Sequence, residues 1–191
     1  KGHAITLDQS LRCTEVPSDG PQKESKVSGT PADCVKMAIN VVMPRRPDLI
    51  LSGINHGSNA SVNVIYSGTM SAAVEGALER VQAIGFSLCE FSWEASFEAA
   101  KPYVRKVIKA TLENGLPSGV CLNVNIPEND KAPYKGMRVC RQAIGNWVEE
   151  FDARIDPFGR PYYWLTGKYE NYDHGDDTDI AALEDGYISI V

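Results

Sequence analysis

Pro47-Asp48-Leu49-Ile50-Leu51-Ser52-Gly53-Ile54-Asn55-His56-Gly57-Ser58-Asn59 decides how this chain is read. Leu49-Ile50-Leu51 is a short continuous apolar run, the pattern of a strand buried on both faces of a parallel sheet. A glycine-rich loop is predicted to follow over residues 52–68. A helix is then predicted from about Thr69 to Arg80, with Ala72, Ala73, Gly76 and Ala77 giving it a small-residue face for close packing on a sheet.

Upstream, residues 14–29 are rich in Pro, Gly, Ser, Lys and Glu and predict turns or a short hairpin. Thr30-Pro31-Ala32-Asp33 starts a helix, with Thr30 as cap, Pro31 at the first position and Asp33 at the positive end. Val35, Ala38, Ile39 and Val42 give it one apolar face, and Met43-Pro44 stops it. Downstream, Ala83–Cys89 predicts a strand. Ser96 to about Asn114 predicts a helix with Tyr103, Val104, Val107, Ile108 and Leu112 inward. Val120, Leu122, Val124 and Ile126 alternate with Cys121, Asn123 and Asn125, a strand with one more polar face. Met137–Arg141 predicts a further strand. Val148–Ile155 and Tyr162–Leu165 flank the turn Asp156–Arg160 as a β-hairpin. Helices and strands alternating at these lengths give an α/β three-layer core.

Composition narrows the function. Hydrophobic residues make up 43% and charged residues 23%, as in ordinary globular proteins, and the net charge is −6 without a basic block. That argues against a nucleic-acid duplex or an anionic membrane as partner. No apolar run approaches the roughly 18 residues of a membrane span. Cys13, Cys34, Cys89, Cys121 and Cys140 are odd in number and widely spaced, without a C-x-x-C. They are read as mostly buried, reduced thiols in a cytoplasmic protein.

Two segments carry candidate chemistry. Ser52–Asn59, directly after a buried strand, lies where α/β sheets bind ligands. Its glycines allow close backbone approach and its asparagines supply oxygens suited to hard cations; the same composition also describes a plain turn. Tyr66-Ser67-Gly68-Thr69 places hydroxyls and free N–H groups at a helix start, an anion site or an ordinary N-cap. It lacks the Lys of a P-loop. Of His3, His56 and His174, His56 is near enough to touch a substrate, though a solvent-facing role suits it better. Asp173–Asp179 fails the EF-hand spacing and is read as a solvated loop.

In order along the chain, Gly29-Thr30-Pro31-Ala32-Asp33-Cys34-Val35, Pro47–Asn55, Gly57-Ser58-Asn59, Val64–Thr69 with Ala72-Ala73 and Glu75-Gly76, Thr178-Asp179 and Glu184–Ile190 resemble the motifs of the SurE family, nearly end to end. The resemblance implies a Rossmann-like three-layer α/β/α sandwich with an extended β-hairpin, residues 142–170, used in oligomerisation as a homodimer or homotetramer. It implies a metal-dependent phosphatase acting on nucleoside 5′- and 3′-monophosphates, with one divalent cation per subunit, Mg²⁺ or Mn²⁺. Asn55 is then a metal ligand, and Asn59, Ser67, Gly68 and Thr69 bind phosphate. The family's Asp pair precedes the stretch matched by Gly2-His3-Ala4-Ile5-Thr6-Leu7, so that pair and the first strand and helix are expected upstream of Lys1, and residues 1–191 form a single domain without them. The catalytic nucleophile stays open. So does the alternative of a non-catalytic nucleotide-binding or oligomerisation module.

Overall fold

The structure is a computed structural model and describes residues 2–191. A short hairpin, β1 (Cys13–Val16) and β2 (Glu24–Val27), precedes helix α1 (Pro31–Met37), which continues as one turn of π-helix to Val42. Strand β3 (Leu49–His56), a 3₁₀ turn (Ser61–Tyr66), helix α2 (Gly68–Leu78), strand β4 (Gln82–Leu88), helix α3 (Lys101–Asn114) and strand β5 (Cys121–Ile126) follow. The chain then forms β6 (Met137–Val139), a long hairpin of β7 (Gly145–Ile155) and β8 (Pro161–Asn171), helix α4 (Asp179–Glu184) and β9 (Ile188–Ile190).

The central sheet has the order β3-β4-β5-β9-β6. Strands β3, β4 and β5 run parallel, β9 is antiparallel to β5, and β6 is parallel to β9. Alternation along β4 builds the layers. Ile84, Phe86 and Leu88 are buried in a core with Val107 of α3, Val124 and Ile126, while Ala83 meets Met70 and Ala73 of α2. The sheet therefore carries helices on both faces, a Rossmann-like α/β/α sandwich. Small residues let α2 lie close. A Cβ on Gly76 would stand 2.9 Å from both Ala83 Cβ and Ile50 Cδ1, and one on Gly85 would collide with the Met70 sulfur.

The start of α1 follows its sequence signal. Thr30 Oγ1 accepts from Asp33 N–H, and the Asp33 carboxylate accepts from Thr30 N–H, a reciprocal cap. Asp33 also accepts from Thr6 N–H (3.0 Å) and Thr6 Oγ1 (2.6 Å). Burial pushes its carboxyl upward, but these bonds from Thr6 and Thr30 outweigh burial and hold it at about 2.

Four expectations need correcting. Leu49–Leu51 is a strand but is not buried on both faces: only β4 pairs with β3 among the described residues, and Leu51 is 49% exposed. Its free side opens on an apolar groove of about 840 Å³ between β3 and α1. The predicted loop at 52–68 is in part strand, since Asn55 and His56 remain paired with Ser87 and Leu88 after a bulge. Helix α3 begins at Lys101 rather than Ser96, because Pro102, with no N–H to give to a preceding turn, must sit in the first turn; Leu112 is 53% exposed rather than inward. All five cysteines are free, but Cys13 is exposed and the other four are partly exposed rather than fully buried.

The β7–β8 hairpin is paired from Gly145↔Asn171 to Ile155↔Pro161 and is longer than the predicted 148–165. Its turn is closed by the Asp156 carboxylate, which accepts from the N–H groups of Phe158 and Arg160 and from Arg160 Nε. Beyond its root it meets little of the domain: Phe151, Tyr163, Trp164 and Leu165 are all exposed.

Candidate active site

The parallel strands deliver asparagines to their carboxyl ends, where they form one buried network. Asn55 at the end of β3 turns its Nδ2 toward the carbonyls of His56 (2.9 Å) and Gly57 (3.0 Å) and toward Ser87 Oγ (3.3 Å). The Ser87 hydroxyl donates to the Gly57 carbonyl as well. Asn55 Oδ1 accepts from Asn59 Nδ2 at 3.0 Å. Asn59 is itself held through its backbone: its N–H donates to Asn125 Oδ1 (2.8 Å), and its carbonyl accepts from Asn123 Nδ2 (2.9 Å). Asn125 Nδ2 closes the set on Asn123 Oδ1 at 3.0 Å. Asn59, Asn123, Asn125 and Ser87 are all buried.

These partners fix which end of each amide is which. Carbonyls only accept, so the atom of Asn55 facing His56 and Gly57 is nitrogen, and its oxygen lies on the other side. That oxygen only accepts, so Asn59 presents nitrogen to it. Asn55 therefore offers its second oxygen lone pair, and Asn59 its second amide hydrogen. One is an acceptor suited to a cation or a donor group; the other is a donor suited to an anion.

Ser67, Gly68 and Thr69 sit at the start of α2. Ser67 is the N-cap, its Oγ accepting from Met70 N–H at 3.0 Å. The N-cap reading holds, and it is compatible with an anion site, because capping occupies the Met70 N–H and leaves those of Gly68 and Thr69 in the first turn, where an anion is favoured. The 3₁₀ turn at Ser61–Tyr66 joins this end to Asn59, and α2 packs on β3. Among the described residues no hydrogen bond runs directly from Ser67–Thr69 to Asn55 or Asn59; shared scaffolding relates the two halves.

Two neighbouring readings change. His56 does not face solvent freely. Its ring packs against Trp93 (centroids 5.9 Å) and edge-on to Phe97 (5.1 Å), and its Nδ1 is buried without a partner among the described residues. The acidic segment is not simply a solvated loop. Asp173 is clamped by the Arg141 guanidinium, which holds its carboxyl well below the usual range. Asp179 is fully buried, accepting from the N–H groups of Ser61 (2.8 Å) and Ala143 (2.9 Å). Tyr169 of the hairpin donates to Ser61 Oγ (2.8 Å), and Trp147 Nε1 donates to Asn63 Oδ1 (2.8 Å). Asn123, Asn125 and Asp179 are the residues that sequence reasoning did not assign to the site. Their signal was polarity repeating at inward positions of β5 and an acid in the first turn of α4.

For a hard cation the described residues do not suffice. Asn55 contributes one neutral oxygen, whereas Mg²⁺ and Mn²⁺ rely on carboxylates. No group of three or more His, Cys, Asp or Glu side chains able to hold a metal occurs among the described residues. The Asp pair expected upstream of Lys1 lies outside them. No helix among the described residues is long and apolar enough to cross a membrane.

Comparison with known proteins bears on this geometry. Residues 1–149 match the family model described as Survival protein SurE. The chain is 56% identical over 191 residues to the 5′-nucleotidase SurE of Flavobacterium johnsoniae, covering all of this chain and 74% of that protein. It is 56% identical over 192 residues to the 5′-nucleotidase SurE of Christiangramia forsetii, again covering 74% of the relative. Among solved structures, it superposes on the crystal structure of the SurE protein from Aquifex aeolicus with a TM-score of 0.79 at 34% identity, over 99% of this chain and 75% of that one.

Proposed function

The chain belongs to the SurE family, and on that premise we propose that it is a 5′-nucleotidase, a phosphomonoesterase that hydrolyses nucleoside 5′-monophosphates, and also 3′-monophosphates, to nucleoside and phosphate. The observation that carries this reading is the opposed polarity of Asn55 and Asn59, joined Oδ1 to Nδ2 at 3.0 Å, on a segment that leads through one 3₁₀ turn to the start of α2. A phosphate monoester is an anion that needs donors on its non-bridging oxygens. Asn59 Nδ2 and the N–H groups of Gly68 and Thr69 supply them, with the Ser67 and Thr69 hydroxyls completing the cradle. These donors are fixed before substrate arrives, so they stabilise the charge that builds up on phosphorus-bound oxygens without reorganising.

Activity depends in this proposal on one divalent cation per subunit, Mg²⁺ or Mn²⁺, with Asn55 Oδ1 as one ligand and carboxylates from outside residues 2–191 as the others. Five free thiols fit a cytoplasmic setting. The exposed aromatic hairpin fits a homodimer or homotetramer, with residues 142–170 as the extension through which subunits associate.

Phosphate release from AMP and GMP by the full-length protein, with and without Mn²⁺, tests the reading. Release that Mn²⁺ raises and EDTA abolishes is expected, and Asn55→Ala lowers the rate and the metal response together. Release indifferent to metal refutes the cation; no release from any nucleoside monophosphate refutes the nucleotidase. A parallel assay with 3′-AMP decides the second substrate class.

A further inference from the structure

The asparagine network extends past the residues that can face substrate, and its inner half has a definable task. Among the described residues Asn123 and Asn125 make no hydrogen bond to the helix end or to Asn55. What they hold is the backbone of Asn59, on both of its polar groups: Asn125 Oδ1 takes the N–H, and Asn123 Nδ2 reaches the carbonyl. The two amides are also joined to each other, so neither can flip without breaking two bonds at once. A backbone clamped at donor and acceptor together has no freedom to rotate about its own peptide planes. The clamp stands on β5, whose pairing to β4 runs from Ala83↔Cys121 to Leu88↔Ile126 and is the most regular part of the sheet.

We propose that Asn123 and Asn125 are positioning residues that set the reactive geometry of the site by fixing Asn59, and through it the oxygen of Asn55. The proposal rests on the nucleotidase reading for its functional meaning. Four observations favour it over mere core packing. Both amides are buried in strand positions where Val or Ile would pack without needing partners. Apart from the bond between the two amides, their side-chain hydrogen bonds go to one loop residue, Asn59. Asn59 in turn spends its side-chain nitrogen on Asn55. Finally, Ser189, which pairs with Asn125 across the β5–β9 register, is fully buried and leaves its Oγ without a partner among the described residues. The polar contacts of that layer are therefore not shared out evenly; they are directed toward Asn59.

The test compares Asn125→Ala, Asn125→Asp and Ser189→Ala in the full-length protein. Asn125→Ala removes the acceptor of the Asn59 N–H. With Asn59 free to move by about 1 Å, kcat on AMP is expected to fall by about 10- to 100-fold, with KM changed little. Asn125→Asp keeps that acceptor at nearly the same volume and loses only the donor to Asn123. It is therefore expected to be more active than Asn125→Ala while being less stable, since it buries an unpaired charge. Ser189→Ala is expected to keep kcat within about twofold, having no hydrogen bond to lose. A purely structural role predicts the opposite: activity then follows thermal midpoint, and Asn125→Asp is the worse variant. That order, or kcat within about twofold of the parent in a folded Asn125→Ala, overturns the proposal.

A second readout is independent of turnover. The side-chain amide resonances of Asn55, which is not hydrogen-bonded to Asn125 among the described residues, are expected to shift in Asn125→Ala and to stay in place in Ser189→Ala. Unmoved Asn55 resonances in Asn125→Ala overturn the positioning role. If the parent releases no phosphate from AMP, the nucleotidase reading falls, and the resonances still decide whether the clamp acts through Asn59.

Discussion

The sheet's asparagine-lined strand ends and the β7–β8 hairpin are opposites in how they treat incompatible surroundings. At the strand ends, polar groups are buried and each amide is matched, donor to acceptor, over Asn55, Asn59, Asn123 and Asn125. On the hairpin, apolar groups are exposed, with the directly paired Phe151 and Leu165 at 68% and 65%. The first region answers its burden within one subunit; the second leaves its own unanswered. The lesson concerns where change is felt. A buried polar network fails when one partner is lost, because the other cannot turn to water. An exposed apolar ribbon has nothing to lose until something covers it.

Two carboxylates with the same task expose the difference most sharply. Asp179 accepts the backbone N–H groups of Ser61, Ala143 and Ile180 in the core, and Asp156 accepts those of Phe158 and Arg160 at the hairpin turn. Asp179→Ala strands the N–H groups of Ser61 and Ala143 and is expected to cost about 4 kcal/mol, roughly 2 for each buried donor, in a denaturant titration. Asp156→Ala, where water replaces the lost bonds, is expected to leave the midpoint nearly unchanged. Equal losses would erase the contrast.

Next comes Asn59→Ala, which removes the proposed phosphate donor and keeps the backbone clamp. It is expected to lower kcat on AMP by about 100-fold, with stability changed far less than by Asp179→Ala. A smaller effect belongs to Asp33→Asn, expected to cost about 1 kcal/mol at neutral pH through its cap. Because the Asp33 carboxyl titrates at about 2 in the folded protein, below its ordinary value of 3.8, its contribution is full above about pH 4. It is lost as pH falls toward 2. Melting curves of parent and variant should therefore converge over that window, and a constant gap would show that the charge is not what Asp33 contributes.

The smallest effect on the single subunit is expected on the hairpin. Phe151→Ser with Leu165→Ser should leave the thermal midpoint at low protein concentration unchanged, while light scattering reports a shift toward monomer. An unchanged assembly would show that this face is not where subunits meet.

Much of this was legible beforehand, for identifiable reasons. The α1 start, the hairpin turn and β4 announce themselves through caps, turn residues and apolar runs, which are local. The helix start at Ser67–Thr69 was visible for the same reason. What stayed hidden depends on partners far along the chain. Asn123 and Asn125 alternate with Val124 and Ile126 and so read as a polar face, since alternation records polarity and not burial. Only a loop some 64 residues earlier makes burying them tolerable. Asp179 and His56 escaped in the same way. Leu51 misled in the other direction, because a run of apolar residues does not state whether a second strand lies beside it.

The hairpin's root also makes it a pointer. Tyr169 holds Ser61, and Trp147 holds Asn63, so the base of the ribbon is pinned to the segment that leads from Asn59 to Ser67. Eleven residues of strand extend about 35 Å from that base. A swing of only about 3° at the root carries the far end through about 2 Å over that length. A fluorophore at Phe158, out on the turn and 82% exposed, would thus magnify changes of posture around the proposed phosphate cradle into a displacement large enough to see.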